Sequence, residues 1–388
     1  MSDNELLCIL NYNKLIIYFI EDELEDNEIL FSYLLPKKRK PIDSLFLNHD
    51  SEGYFKILIN RHFRQQFDFL LSLVELELTK LPSRRVKDPI SAAEKLAVTL
   101  RYMATGESLR SLSFGFRICH NYISRILKKT LAVLKAKLIP IFLKDPKNVD
   151  FKGKAAEFSC KWNFPNCILA IDGKHIRIRS PKNSGSLFHN YKDFFYIVLL
   201  AMVDANYKFI VVDIGSYGKE GDSGIFLKST MGKQILNGSF GFPEDSTLPV
   251  SSIVVPHVIV GDGAFRLHKH IMKPYTKKAG RDDVTKTIFN YRLSRARRFL
   301  VFYQPINLDT STCEDLIWVL CCLHNMLRTG YMEKNNHTFY DYEDEQSTPT
   351  NNMLPLSRGG GFINIEGFDV RERFKSYFNN EGSVPWQF

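Results

Sequence analysis

Residues 167–175 read CILAIDGKH, so an unbroken apolar run leads directly to Asp172 and Gly173. A short apolar run followed by a turn pair is typical of a buried strand, here predicted from Cys167 to Ile171, that ends at the edge of a sheet. Such a strand places one carboxylate at its tip with little side-chain bulk beside it. Residues 257–265, HVIVGDGAF, repeat this pattern around a second Asp, Asp262.

Two carboxylates at strand ends can form a metal site if their strands are neighbours. Asp172 and Asp262 would then offer hard oxygen ligands at one end of a sheet, which suits a shared Mg²⁺ or Mn²⁺ ion. Ions held in this way can clamp the attacking and leaving oxygens of a phosphoryl displacement. The other interpretation is that each Asp-Gly pair only begins a turn, for which this dipeptide is common. The two motifs alone leave both interpretations open.

The composition is that of a folded protein with a basic balance. The 388 residues are 44% apolar and 24% charged, and the formal net charge is +9. A moderate positive excess fits a nucleic-acid partner without requiring one. Seven Cys without a CxxC pair favour reduced thiols in a cytosolic or nuclear protein. The longest apolar run, Ile197–Val203, is far too short to span a bilayer, so we expect no membrane segment.

A helical region precedes the strands. Ser91 and Glu94 have the spacing of a capping box ahead of an apolar stripe, and two more helices are predicted near 109–116 and 121–136. Three helices with a tight turn before the third predict a helix-turn-helix at about 91–136, whose last helix can enter a DNA major groove. An ordinary helical subdomain with a solvated basic face fits the same pattern.

The last of these helices carries the candidate DNA contacts. Residues at the start of a recognition helix approach base edges, whereas basic residues around it contact the phosphate backbone. We assign Asn121, Tyr122, Ser124 and Arg125 to base edges, and Arg117, Lys128 and Lys129 to phosphates.

The first 53 residues form a variable segment that contains four adjacent cations, Lys37, Lys38, Arg39 and Lys40. The prolines on both sides favour an extended and exposed backbone. Such a cluster fits the acidic groove of a nuclear-import receptor, and a solvated loop is the alternative. We therefore predict a nuclear protein, with the cytoplasm as a second location.

Several longer motifs follow one another along the chain. They are residues 170–175 (AIDGKH), 203–207 (VDANY), 261–265 (GDGAF), 289–298 (FNYRLSRARR) and 322–327 (CLHNML), with matching stretches at 96–108 and 380–386. Together they resemble the Harbinger-type (PIF/Harbinger) transposases and the nucleases derived from them, a family of the DDE RNase H-like superfamily. The resemblance covers roughly residues 50–330 and the tail, with the motifs in the expected order.

This resemblance implies an α/β RNase H-like nuclease domain, a mixed sheet flanked by helices, at residues 150–330. An all-α helix-turn-helix region at 54–140 would precede that domain, and a polar, Asn-rich tail would occupy 331–388. The family's site consists of two Asp and one Glu that bind a divalent metal cation, Mg²⁺ or Mn²⁺, and act on DNA phosphodiesters. Asp172 matches the first of these acids and Asp262 the second.

Other residues also receive roles on this basis. The candidate phosphate contacts beside the site are Arg292, Arg295, Arg297 and Arg298. Asp204 and Asp222 lie in matching stretches, and we interpret both as structural, in a strand turn and near a helix start. The resemblance further implies a nuclear location and a Myb-like helper protein as a partner beside DNA.

The match fails where the family carries its third acid. Arg298 is followed directly by Phe299, so the catalytic Glu and most of its helix are absent. Glu314 and Asp315 are the nearest acids, and we interpret them as charges at the start of a helix, where they oppose the helix dipole. The nearby Cys321-Cys322 pair with His324 lies in an apolar helix and is interpreted as core packing rather than a zinc site.

Two functions follow from these observations. The first is a transposase-derived, metal-dependent DNA nuclease that is impaired by the missing Glu. The second is a domesticated or decayed transposase that binds DNA without cutting it. A skipped exon or a faulty gene model at Arg298–Phe299 would also account for the missing segment.

Overall fold

The structure is a computed structural model that describes residues 61–84, 86–87, 89–143, 145–178, 195–217, 222–281, 283–297, 306, 308–335 and 364–387. The chain divides into two compact units. The first comprises the described residues up to Leu138 and those between 303 and 320. The second comprises the described residues of 139–302 and 321–388. The predicted import cluster at 37–40 lies outside the described residues.

The first unit is built from helices. Their bounds are α1 Arg61–Leu78, α2 Ala92–Thr105, α3 Leu109–Phe116 and α4 His120–Phe142, which continues into the second unit. Apolar side chains at helical spacing, such as Leu127, Leu131 and Leu134 of α4, are fully buried. The predicted helices are confirmed, and α4 continues beyond the predicted end at 136.

The ends of these helices follow from local sequence. Ser91 Oγ accepts a hydrogen bond from the backbone N–H of Glu94, and the Glu94 carboxylate accepts one from the backbone N–H of Ser91. This is the predicted capping box. Gly106 ends α2 with a φ of 63°, and Arg117 ends α3 with a φ of 54°, so both adopt the left-handed cap conformation. The arrangement of these helices as a DNA-binding helix-turn-helix stays a prediction.

A five-stranded mixed sheet forms the centre of the second unit. The chain contributes β1 Cys167–Ile178, β2 Phe195–Val203, β3 Phe209–Tyr217, a separate pair β4 Ser246–Thr247 and β5 Val254–Val255, then β6 Val258–Val260 and β7 Ile271–Met272. The spatial order of the sheet is β3-β2-β1-β6-β7. The first three strands are antiparallel neighbours, whereas β6 and β7 run parallel to β1. The predicted mixed sheet is confirmed, and it is consistent with an RNase H-like fold.

Helices flank this sheet. They are α5 Phe151–Trp162, α6 Asp222–Lys228, α7 Thr230–Leu236, α8 Lys277–Arg281, α9 Val284–Ala296, α10 Thr310–Asn335, which begins in the first unit, and α11 Ile365–Asn379. Side chains of α6 and α7, including Phe226 and Ile235, form one core with Ile171 and Met202 of the sheet. Among the helices that the structure describes, none is long and apolar enough to cross a membrane.

The C-terminal part differs from the predicted polar tail. The described residues 364–387 form α11 and a final turn, and they belong to the second unit. Phe374 and Phe378 of α11 are fully buried, with ring centroids 5.3 and 4.9 Å from that of Phe164. The described part of the predicted polar tail therefore packs within the second unit, because a segment of mostly polar composition still buries one aromatic face.

Candidate active site

The pairing of β1 with β6 places Asp172 and Asp262 beside each other. Ala170 pairs with Val260 in parallel register, and each Asp lies two residues further along its own chain segment. Neighbouring strands are about 4.8 Å apart, so the segments that carry the two Asp leave this pair side by side. Their proximity also appears in the electrostatics, since Asp262 raises the pKa of Asp172.

Asp172 lies within its strand rather than at the tip. The predicted strand ends at Ile171, but β1 continues to Ile178 because β2 pairs with it along its whole second half. Side chains alternate between the faces of a sheet, so Asp172 points away from the core that contains Ile171. The predicted strand end is wrong for β1. It holds for β6, which ends at Val260.

The turn after β6 fixes the second carboxylate. Asp262 Oδ1 accepts a hydrogen bond from the backbone N–H of Ala264 at 2.9 Å, which closes an Asx turn. Gly261 lies in a tight place, since a Cβ there would lie 3.0 Å from the side chains of both Ile171 and Phe265. Gly261 therefore allows the turn to lie close to β1, and Asp262 is the next residue of that turn.

Asp172 is buried among charged groups. The residue is 5% exposed, and its Oδ1 accepts a hydrogen bond from the backbone N–H of Gly173 at 3.0 Å. The guanidinium of Arg297 lies 3.7 Å from the same oxygen. Burial raises the pKa of Asp172 to about 6, with Arg297 opposing and Asp262 adding to this shift. Such a perturbed carboxyl group is typical of functional sites.

A sequence profile of the DDE superfamily endonucleases matches residues 171–325, and the matched segment begins just before Asp172 and contains Asp262. These residues form a DDE superfamily endonuclease domain. The chain is also similar to a protein of Arabidopsis thaliana, Protein ALP1-like, with 28% identity over 298 residues, 71% of this chain and 70% of that protein. No solved structure matches the chain. These comparisons confirm the DDE endonuclease domain that the sequence motifs predicted.

The donors of the DDE domain fit a divalent cation in chemistry, and they number two. Carboxylate oxygens of Asp172 and Asp262 are hard ligands of the kind that Mg²⁺ and Mn²⁺ prefer, and Mg²⁺ is often held by one or two carboxylates plus water and phosphate oxygens. Within the described residues, however, no group of three His, Cys, Asp or Glu side chains could hold a metal ion. The residues present fit a site with two carboxylates.

The described residues supply no replacement for the third acid. Residues 298–305, where the match to the family fails, lie outside the described part of the chain. Glu314 and Asp315 belong to the helical unit, where Asp315 forms an ion pair of 2.8 Å with Lys135. The interpretation of these two as helix-start charges is corrected, because α10 begins at Thr310 and Asp309 caps it through Thr312.

The arginines of α9 divide between packing and the site. Arg292 is 2% exposed, and its guanidinium donates hydrogen bonds to the carbonyl oxygens of Gly382 and Asn163 and to Gln387 Oε1. The prediction that Arg292 contacts DNA is therefore wrong, since the group holds the C-terminal segment in place. Arg295 and Arg297 are half-buried at the end of α9, and Arg298 lies outside the described residues.

Lys273 is a cation of the site that the sequence did not reveal. It follows β7 directly, and its Nζ donates to the carbonyl oxygen of Gly263, next to Asp262, at 3.4 Å. Burial and the nearby Arg371 lower the pKa of Lys273, while Asp262 opposes that shift. A strand of two residues is too short to show a pattern, so the position of Lys273 was not predictable.

Asp204, Cys321 and Cys322 have buried positions within the fold. Asp204 is buried in the turn between β2 and β3, where it accepts hydrogen bonds from backbone N–H groups of that turn. Asp222 is the first residue of α6. Burial raises the pKa of both Cys321 and Cys322, and His324 Nε2 donates to the carbonyl oxygen of Tyr207 at 2.8 Å.

The predicted DNA contacts of the helical unit lie on its surface. Arg117, Asn121, Arg125, Lys128 and Lys129 are exposed, and Tyr122 is half-buried. Two further cations, which the sequence analysis did not single out, lie on the same unit: Lys80 Nζ is 5.8 Å from the centroid of the Tyr122 ring, and Lys95 is buried. Burial lowers the pKa of Lys95, and the positive charges of Lys80 and Lys129 lower it further.

Proposed function

We propose that this protein is a transposase-derived DNA nuclease that uses a divalent cation held by Asp172 and Asp262. The observation that carries the proposal is the position of these two carboxylates, two residues beyond one pair of parallel neighbours. When bound, the cation supplies charge neutralisation at the phosphate and a lowered pKa for an attacking water or hydroxyl group. Phosphodiester hydrolysis or strand transfer is the reaction class.

The residues around the carboxylates support a polyanionic substrate. Arg295 and Arg297 stand at the end of α9, and Lys273 stands beside the turn that carries Asp262. Guanidinium groups bind phosphate oxygens with two parallel hydrogen bonds, and ammonium groups act as point charges. These cations orient the DNA backbone over the carboxylates.

DNA is also bound by the helical unit in this proposal. The support is the exposure of the predicted contacts on α4 and the preceding turn, namely Arg117, Asn121, Arg125, Lys128 and Lys129. Phosphate contacts make affinity fall steeply with salt, so binding through this surface requires low or moderate ionic strength. The resemblance to Harbinger-type transposases supports a Myb-like helper protein as a second partner.

The test is nicking of supercoiled plasmid DNA by the full chain in Mn²⁺ or Mg²⁺. We expect slow, metal-dependent nicking that Asp172→Asn and Asp262→Asn each abolish. Asp245→Asn is the matched control, because Asp245 is an exposed carboxylate of the same unit that pairs with Lys269. Nicking that survives both active-site substitutions would refute the assignment of the two carboxylates.

A second candidate function is DNA binding without cleavage. It is favoured by one observation: within the described residues, no third carboxylate joins Asp172 and Asp262. Loss of one ligand leaves the cation and its water less constrained, and misplacement at this level reduces rates a hundredfold or more. DNA binding at low salt without nicking, in wild type and Asp172→Asn alike, identifies this function.

The proposed location is the nucleus, with import through Lys37, Lys38, Arg39 and Lys40. A fluorescent fusion of the full chain in which these four residues are replaced by Ala is expected to shift to the cytoplasm. Unchanged nuclear accumulation of that variant would refute the import role.

A further inference from the structure

Arg297 contacts one of the two carboxylates that the proposed function assigns to a metal ion. It follows the last residue of α9, and its Nη1 lies 3.7 Å from Asp172 Oδ1. The side chain of Arg297 is 22% exposed, whereas that of Asp172 is 7% exposed. The guanidinium of Arg297 thus lies between solvent and the nearly buried carboxylate of Asp172.

A buried carboxylate beside a second carboxylate needs a positive partner. Withdrawal from water and the negative charge of Asp262 both disfavour the ionised form of Asp172, and a cation within about 4–6 Å favours it. Arg297 supplies that cation in the absence of a metal. At 3.7 Å the contact is longer than a hydrogen bond of about 2.7–3.2 Å, so it is an electrostatic contact that can be exchanged for another.

We propose that Arg297 is the resident counter-ion of Asp172, that a divalent cation displaces it, and that the displaced guanidinium then contacts a DNA phosphate. The proposal rests on the proposed function, because it takes Asp172 and Asp262 as the metal ligands. It adds a conformational step to that site, in which Arg297 contacts Asp172 before the metal binds and a DNA phosphate afterwards.

This exchange couples the two ligands of the protein. A guanidinium held at Asp172 opposes metal binding by its charge and is withheld from DNA. Metal binding frees it, so metal and DNA each raise the affinity of the protein for the other by the same factor. Such coupling requires a contact that differs between the metal-free and the metal-bound state, and the contact of Arg297 differs in this way.

The direct test is Mn²⁺ binding to the full chain without DNA, measured by electron paramagnetic resonance at pH 8, where Asp172 is ionised. We expect Arg297→Gln to bind Mn²⁺ about tenfold more tightly than wild type, because opposite charges within a few ångströms shift carboxylate equilibria by about one to three decades. Arg297→Lys retains the charge and is expected to stay near wild type. Arg295→Gln, which removes the same charge from the same helix, is the matched control.

The outcomes separate this inference from the proposed function. If wild type binds Mn²⁺ and Arg297→Gln binds it equally tightly, the counter-ion role is refuted while the metal site stands. If neither protein binds Mn²⁺, both proposals fall. If Arg295→Gln tightens binding as much as Arg297→Gln, the effect is one of general charge, and the specific role of Arg297 is refuted.

The coupling is tested by DNA affinity with and without Mn²⁺. Fluorescence anisotropy of a short labelled duplex, checked for integrity afterwards, is expected to show a smaller Mn²⁺-induced gain in Arg297→Gln than in wild type. An equal gain in the two proteins would overturn the transfer of Arg297 to phosphate.

Discussion

Replacement of Arg292 by Met tests how the DDE domain is held together. The guanidinium is 2% exposed, donates to three acceptors on the C-terminal segment and the loop after α5, and lies 4.5 Å from the centroid of the Phe378 ring. Met fills much of the same volume but leaves the acceptors without a donor. Burial lowers the pKa of Arg292 to about 10. Part of the stabilisation from its hydrogen bonds therefore offsets the free-energy cost of burying the charged group.

The expected loss is about 1–3 kcal/mol in the free energy of unfolding, because buried carbonyl and amide oxygens are left without their donor. Hydrogen exchange followed by mass spectrometry on α9 and α11 measures it locally. Arg295→Met, on the same helix, is expected to lose less than about 1 kcal/mol. A stable Arg292→Met variant with weakened DNA binding would refute the structural role and restore the original prediction of a phosphate contact.

Three further predictions follow from single contacts. Burial lowers the pKa of His324 to about 4, so its contribution to the free energy of unfolding is constant above pH 7 and falls by up to about 3 kcal/mol as pH drops from 6.5 to 4. Asp172, whose pKa burial raises to about 6, contributes with the opposite sign in the same window. Urea unfolding of wild type and His324→Gln, which can still donate to Tyr207, at several pH values therefore isolates the His324 contribution as the difference between the two proteins. Ser91→Ala removes the cap on Glu94 N and should destabilise the helical unit by about 1 kcal/mol in thermal unfolding, and no change would contradict the capping box. Gly261→Ala places a methyl group 3.0 Å from two side chains and should cost about 1–3 kcal/mol and weaken Mn²⁺ binding, whereas unchanged binding would show that the turn can give way.

The parts of the fold that were predictable are those with a local cause. The capping box at Ser91 and the left-handed cap at Gly106 each depend on a few neighbouring residues, and both are confirmed. The apolar runs before Asp172 and Asp262, predicted as strands, form parallel neighbours, since apolar strands of this type pair in the middle of a sheet. The continuation of β1 beyond Asp172 depends on pairing with β2, and the alternation of apolar and polar residues from Ile176 to Arg179 was the available signal for it.

The arginines show what sequence could not decide. Arg292 and Arg297 belong to one basic run, but five residues of helix rotate side chains by about 140° relative to each other, so one is buried and the other reaches the site. Which direction is buried depends on α11, a segment that composition assigned to a polar tail. The helical spacing of Phe374 and Phe378 was the available signal for its burial.

The central claim is that Asp172 and Asp262 share one divalent cation. Anomalous diffraction from crystals of the full chain grown with Mn²⁺ tests it directly. We expect a peak about 2.0–2.6 Å from a carboxylate oxygen of each residue, with the Arg297 guanidinium moved away from Asp172. A peak bound elsewhere, with Arg297 still against Asp172 at saturating Mn²⁺, would contradict it.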